Sequence, residues 1–80
     1  MKIVIKAFGI AREIAGKQQW EVIVDDHFTI DELRALLIEE LPKLKTIIQF
    51  SLAKNQVYVV TNEQLSEGDE IAIIPPVSGG

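Results

Sequence analysis

The sequence predicts an α+β domain: a mixed sheet of about five strands with one main helix laid across one face. Three observations carry this reading. A β-branched run opens the chain and a second apolar run lies near its end. Between them sits an amphipathic stretch behind a complete helix-start signal. That helix needs an apolar surface to cover, and the strands are the only candidate. With 80 residues, the chain makes a single small domain spanning 1–80, and a domain of this size buries roughly 60–65% of its unfolded surface.

The opening run Lys2-Ile3-Val4-Ile5-Lys6-Ala7-Phe8 reads as a strand. Ile3, Ile5 and Ala7 share one parity; Lys2, Val4, Lys6 and Phe8 share the other, and the lysines mark it as solvated. Phe8 is therefore expected to point outward. Gly9 breaks the pattern, Ile10 to Ala15 suits a short helix, and Gly16 is placed as its C-terminal stop. A turn at Gly16-Lys17-Gln18 leads back to a second strand, Gln19 to Val24. The main helix is announced by Thr29 and Glu32, the S/T-x-x-E capping box, with Phe28 and Leu33 placed for a hydrophobic staple. Asp31 and Glu32 complement the helix dipole. Ile30, Leu33, Leu37 and Leu41 form one stripe with Leu36 at its flank, and Pro42 ends the element. Lys43 to Ile48 carries no clear pattern. Phe50 to Lys54 and Val57 to Val60 are two short strands that Asn55-Gln56 can join in a tight hairpin, although Asn-Gly would be the stronger signal. Thr61 to Leu65 reads as a loop or one helical turn, Glu67-Gly68-Asp69 as a turn, and Glu70 to Ile74 as a last strand stopped by Pro75-Pro76. The first and last strands, both short apolar runs, are expected as central neighbours. This is the β-grasp arrangement familiar from ubiquitin, although element order alone allows other α+β layouts.

Composition removes several function classes. Eight Lys and Arg against twelve Asp and Glu leave a net charge of −4, which argues against a nucleic-acid partner and for soluble behaviour or a basic protein partner. Without cysteine, disulfides, thiolate chemistry and zinc ribbons are excluded. No apolar run approaches the roughly 18–20 residues of a membrane span, so a cytoplasmic globular domain with no membrane partner is expected. Conventional catalysis has little to work with. His27 is the sole histidine, beside Asp25 and Asp26, and reads as part of a solvated loop before a helix; no metal site is expected. Ser51, Ser66 and Ser78 lack a histidine at any recognisable spacing, and Glu39-Glu40 and Asp69-Glu70 read as a solvated helix face and a turn edge.

The end of the chain is more informative. Residues 75–80 read as an extended tail: Pro75 and Pro76, which fix φ and lack an N–H, then Val77, Ser78, Gly79 and Gly80. Its reach is about 16–18 Å. A Gly-Gly ending arises by chance in roughly one chain in 200, so it carries weight only with the stiff exit before it. Such a tail suits entry into another protein's active site, with the Gly80 carboxyl as its reactive group. A carboxylate resists nucleophiles until activated, for example as an acyl-adenylate, and Gly80 offers attack the least steric resistance.

The segments Phe8-Gly9-x-x-Arg12-Glu13-x-x-Gly16, Asn55-Gln56 and Leu65-x-x-Gly68-Asp69-Glu70-Ile71-Ala72-Ile73-Ile74-Pro75-Pro76-Val77-Ser78-Gly79-Gly80, with the central helix, resemble the molybdopterin synthase small-subunit family of MoaD-like, ubiquitin-related sulfur carriers. The resemblance spans nearly the whole chain. It implies that Gly80 is adenylated by an activating enzyme that uses ATP, then thiocarboxylated by a sulfur donor. The tail then enters the large synthase subunit and gives its sulfur to precursor Z, building the molybdopterin dithiolene. It also implies a heterotetramer with the catalytic side chains on the large subunit, and no permanently bound cofactor. Phe8, Ile74 and Tyr58 match the family's hydrophobic docking surface, the bland alternative being ordinary core or scattered surface apolars. Arg12 matches a common family arginine, with a salt bridge to Glu13 or Asp69 as its structural alternative. Sulfur carriers for thiamine biosynthesis, tRNA thiolation or protein conjugation share the fold and ending, and a β-grasp interaction module with an inert tail is the alternative of another class.

Overall fold

The computed structural model describes residues 1–47 and 49–76. The elements are β1 (Lys2–Ala7), α1 (Gly9–Ala15), β2 (Gln19–Ile23), α2 (Ile30–Glu40), a 3₁₀ turn over Pro42–Thr46, β3 (Ser51–Lys54), β4 (Val57–Tyr58) and β5 (Glu70–Ile74). The strands form one sheet in the order β2-β1-β5-β3-β4. The central pair β1–β5 is parallel, with Val4 opposite Glu70 and Ala7 opposite Ile73; its flanking pairs with β2 and β3 are antiparallel. The first and last strands are thus the central neighbours that their apolar runs predict, and the topology is that of a β-grasp domain.

One face of the sheet makes the core. Ile3, Ile5, Ile71 and Ile73 are wholly buried, together with Leu33 and Leu37 of α2 and Leu52 of β3. Ile30 joins the stripe, and Leu36 and Leu41 pack half-buried at its edge. The 3₁₀ turn, in the stretch that shows no pattern in the sequence, places Leu44 in the same core. Pro42 ends α2 but suits the first position of the tighter turn, where its missing N–H costs nothing.

The α2 start is held on every side. The Thr29 Oγ1 accepts from the Glu32 N–H at 3.3 Å while the Glu32 Oε1 accepts from the Thr29 N–H at 3.0 Å, completing the capping box. The Ile30 N–H donates to the Glu63 carbonyl at 2.9 Å and the Asp31 N–H to the Asn62 Oδ1 at 2.9 Å. All four amides that a helix leaves unpaired at this end therefore have partners. Two come from Thr61–Leu65, which forms no helical turn and runs instead as an extended strap, bridging Thr29 to Gln64.

Other boundaries shift for physical reasons. Phe50, read from sequence as strand, lies just before β3 and is buried, its ring under the Arg34 guanidinium at 4.9 Å. β4 is cut to two residues because Val59 leaves the edge, although its N–H still reaches the Leu52 carbonyl at 3.0 Å. Val57 and Val60 are exposed instead of alternating into the core. The hairpin is as expected, with Asn55 and Gln56 both at positive φ, 51° and 73°. Gly16 closes α1 in the left-handed region, its N–H on the Arg12 carbonyl at 2.9 Å.

Thr29→Ala is expected to cost about 1 kcal/mol, the usual worth of an N-cap. Leu44→Ala is expected to cost about 3 kcal/mol, as for other fully buried leucines. Urea denaturation of both variants checks the ranking; a Leu44 loss no larger than the cap's would show that the turn contributes little to the core.

Candidate functional site

The outer face of the sheet, away from α2, carries the exposed Phe8 and Tyr58. Register sets it out in rows. Lys6 lies opposite Ala72, Ala72 opposite Ala53, and Ala53 opposite Tyr58, so a line of small residues crosses the sheet between Lys6 and Tyr58. Ile74 lies opposite Ser51 on the next row. Phe8 stands beside it: extended at φ −127°, its N–H donates to the Ile73 carbonyl at 3.3 Å before the chain turns into α1. The three residues expected to dock a partner are therefore brought to one face. Phe8 is 49% exposed and Tyr58 59%, with Ile74 half-buried between their strands. Because Ala72 and Ala53 carry almost no side chain, a hollow of about 140 Å³ remains, lined by Lys6, Phe8, Gln56, Glu70 and Ala72. The Lys6 ammonium meets the Glu70 carboxylate at 2.6 Å on its rim. An exposed pair of this kind adds little stability, but it fixes where charge sits beside the apolar patch.

The exit of the chain adjoins this face. Gly9 turns at φ +55°, and a Cβ there would lie 3.2 Å from the Pro75 Cγ. Glycine at this position allows both the left-handed backbone and the close approach of the proline. The first two residues of the expected tail, Pro75 and Pro76, lie among the described residues; Val77, Ser78, Gly79 and Gly80 lie outside them. Arg12 is not in the outer patch. It sits exposed on α1, lining an open depression of about 510 Å³ with Gly9, Glu13, Gly16, Lys17 and Gln18. No ion pair joins it to Glu13 or Asp69, which corrects the structural alternative offered for it. Asp69 is engaged elsewhere, accepting from the Ser66 N–H at 2.7 Å and the Asn55 Nδ2 at 3.0 Å.

Catalytic groups are sparse. Among the described residues no three His, Asp or Glu side chains are grouped to hold a metal ion. His27 occupies an exposed left-handed turn at φ 69°. The Lys54 ammonium is held above the ordinary lysine value of 10.5 chiefly by its hydrogen bond to Glu63, with which it makes an ion pair at 2.7 Å. Lys54 shares the parity of Leu52, not that of the outer patch. The sequence reading missed Lys6, Glu70, Ala72 and Gln56. Strand parity could have supplied the first three, whereas Gln56 required the hairpin's conformation.

The topology, the proline-led exit and the apolar outer patch beside it define a ubiquitin-like β-grasp domain. The chain belongs to the ThiS family, whose model matches residues 5–80. It is 37% identical over 83 residues to a molybdopterin synthase sulfur carrier subunit from Chlamydomonas reinhardtii, covering 100% of both chains. Among solved structures it resembles SAMP1 from Haloferax volcanii, with a TM-score of 0.85 at 27% identity over 100% of both chains. It also resembles one chain in the structure of the complex of subunits 1 and 2 of the molybdopterin-converting factor from Helicobacter pylori, with a TM-score of 0.73 at 27% identity, covering 100% of this chain and of that one.

Gly9→Ala is expected to lose about 1–2 kcal/mol, because an L-residue is strained at this φ and its methyl group must displace Pro75. A thermal melt checks this; an unchanged melting temperature would show that the turn and the proline are free to relax.

Proposed function

We propose that this chain is the sulfur carrier subunit of a molybdopterin synthase, acting in the cytoplasm. The observation that carries the reading is the convergence of Phe8, Ile74 and Tyr58 on one exposed face beside the chain's proline-led exit. In the proposed cycle an activating enzyme joins the Gly80 carboxylate to the α-phosphate of ATP, releasing pyrophosphate. A sulfur donor then displaces AMP and leaves a thiocarboxylate. Docked on the large subunit through the outer patch, with Arg12 as a further contact from α1, the carrier threads Pro75 to Gly80 into that subunit's active site. The sulfur passes to precursor Z, towards the dithiolene, and Gly80 returns as a carboxylate. Two carriers and two large subunits make the heterotetramer of this reading.

The test is incubation with the activating enzyme and large subunit encoded in the same genome, ATP and a sulfur source. The expected product is a C-terminal peptide heavier by the exchange of one oxygen for sulfur. Deleting Gly80 is expected to abolish that gain and leave the melting temperature unchanged, since it removes one terminal residue that has no side chain; parallel loss of both would contradict the reading. The likeness to SAMP1 favours a second reading, attachment of Gly80 to lysines of other proteins. Covalent adducts that survive denaturant and thiols, in place of transfer to precursor Z, would select it.

Phe8→Ala and Ile74→Ala are each expected to weaken binding to the large subunit about tenfold, the effect of truncating a central apolar anchor. The free domain should lose less stability than the complex. Calorimetric titration beside a thermal melt decides; equal losses would mark these residues as structural.

A further inference from the structure

Gln56 occupies a backbone position that its residue type does not favour. Both central hairpin residues have positive φ, the geometry of a type I′ turn, whose second position favours glycine. Asn55 is fully explained by the fold. Its Nδ2 donates to the Asp69 Oδ1 at 3.0 Å, its Oδ1 accepts from the Glu70 N–H at 3.0 Å, and its own N–H reaches the Glu70 carbonyl at 2.8 Å. Asparagine also tolerates the left-handed region. Those bonds pin the turn to β5 whatever residue follows. Gln56 is different: at φ 73° it is a strained, exposed residue where glycine would fit without cost. Its place in the molecule supplies a reason. It lines the hollow on the outer patch with Phe8, Ala72 and the Lys6–Glu70 ion pair.

We infer that Gln56 is a specificity-determining contact of the carrier, its amide hydrogen-bonding a polar group of the large subunit seated over the Phe8–Ala72 hollow. This rests on the function proposed above. The apolar patch supplies contact area without fixing an orientation. One amide at its rim, offering a donor and an acceptor, rewards only a partner that presents matching groups and penalises one that buries the amide unpaired. The backbone strain is the cost of keeping that amide at the turn.

Q56G and Q56A are titrated calorimetrically against the large subunit of the same genome, with wild type and F8A alongside and a thermal melt of each free carrier. Q56G should raise the melting temperature by about 2–5 °C, because the strain is relieved, yet weaken binding about five- to tenfold, the worth of one lost hydrogen bond. Q56A should weaken binding similarly without the gain in stability, since it loses the amide and keeps the strain. Wild-type affinity in both variants, with F8A weakened, would overturn the role of Gln56 while leaving the docking face intact. No binding by the wild type would instead overturn the function on which this inference rests.

Discussion

The parallel pairing of β1 with β5 is the constraint on which the molecule depends. It joins residues near the two ends of the described chain, and its inward side chains, Ile3 and Ile5 against Ile71 and Ile73, are wholly removed from water. Closing so long a loop costs little more than closing a shorter one, whereas burying four isoleucines contributes about 1.5–3 kcal/mol each. β5 is also paired on its other edge by β3, so the strand is held from both sides up to Ile74. Pro75 and Pro76 have no N–H with which to continue the ladder. The same pairing therefore holds the core and sets where the chain leaves it.

Being parallel, the two strands also give the sheet two unlike ends. At their starts lies a knot of backbone ties. The Glu67 carboxylate accepts from the Lys2 N–H, the Gly68 N–H reaches the Lys2 carbonyl at 2.8 Å, and the Val4 N–H reaches the Asp69 carbonyl at 2.9 Å. At their finishes lie Phe8, Ile74 and the exit past Gly9. Backbone and side-chain ties thus gather at the starts, while Phe8 and Ile74 stand at the finishes. Outer-face residues at the finishing end consequently have freedom to vary for recognition, because little of the fold rests on them.

How much of this was legible in the sequence follows from how local each signal is. The capping box, the Gly16 stop and the Glu67-Gly68-Asp69 turn are read within a few residues and appear as expected. Parity placed Phe8 on the solvated face because strand alternation is also local. The strap over 61–65 and the 3₁₀ turn over 42–46 were opaque for the opposite reason. The strap is defined by bonds to the start of α2, some thirty residues earlier in the chain, and Leu44 is apolar in a stretch without period. The extent of β4 was hard to read because β-branched residues fit an exposed edge strand as readily as a buried one. Arg12 fits the depression beside Gly9, but nothing in its sequence neighbourhood distinguishes that placement from an ion pair.

The two faces of the sheet also divide energetic roles in a way that bears on how such a domain is recognised. A helix-covered face can change only at the cost of cavities or overpacking. The outer face, by contrast, is built on Ala72 and Ala53, whose small side chains leave the relief to Phe8, Tyr58 and Gln56 around them. A partner that reads this face therefore reads a few large groups on a flat base, held at fixed spacing by the β1–β5–β3 ladder. Affinity in such a surface depends on the aromatic and aliphatic anchors. On the proposed reading, discrimination would fall to the polar rim, where the Lys6–Glu70 pair and Gln56 stand. The helix-covered face thus carries the packing on which the fold depends, while the outer face keeps its few large groups exposed on a rigid base.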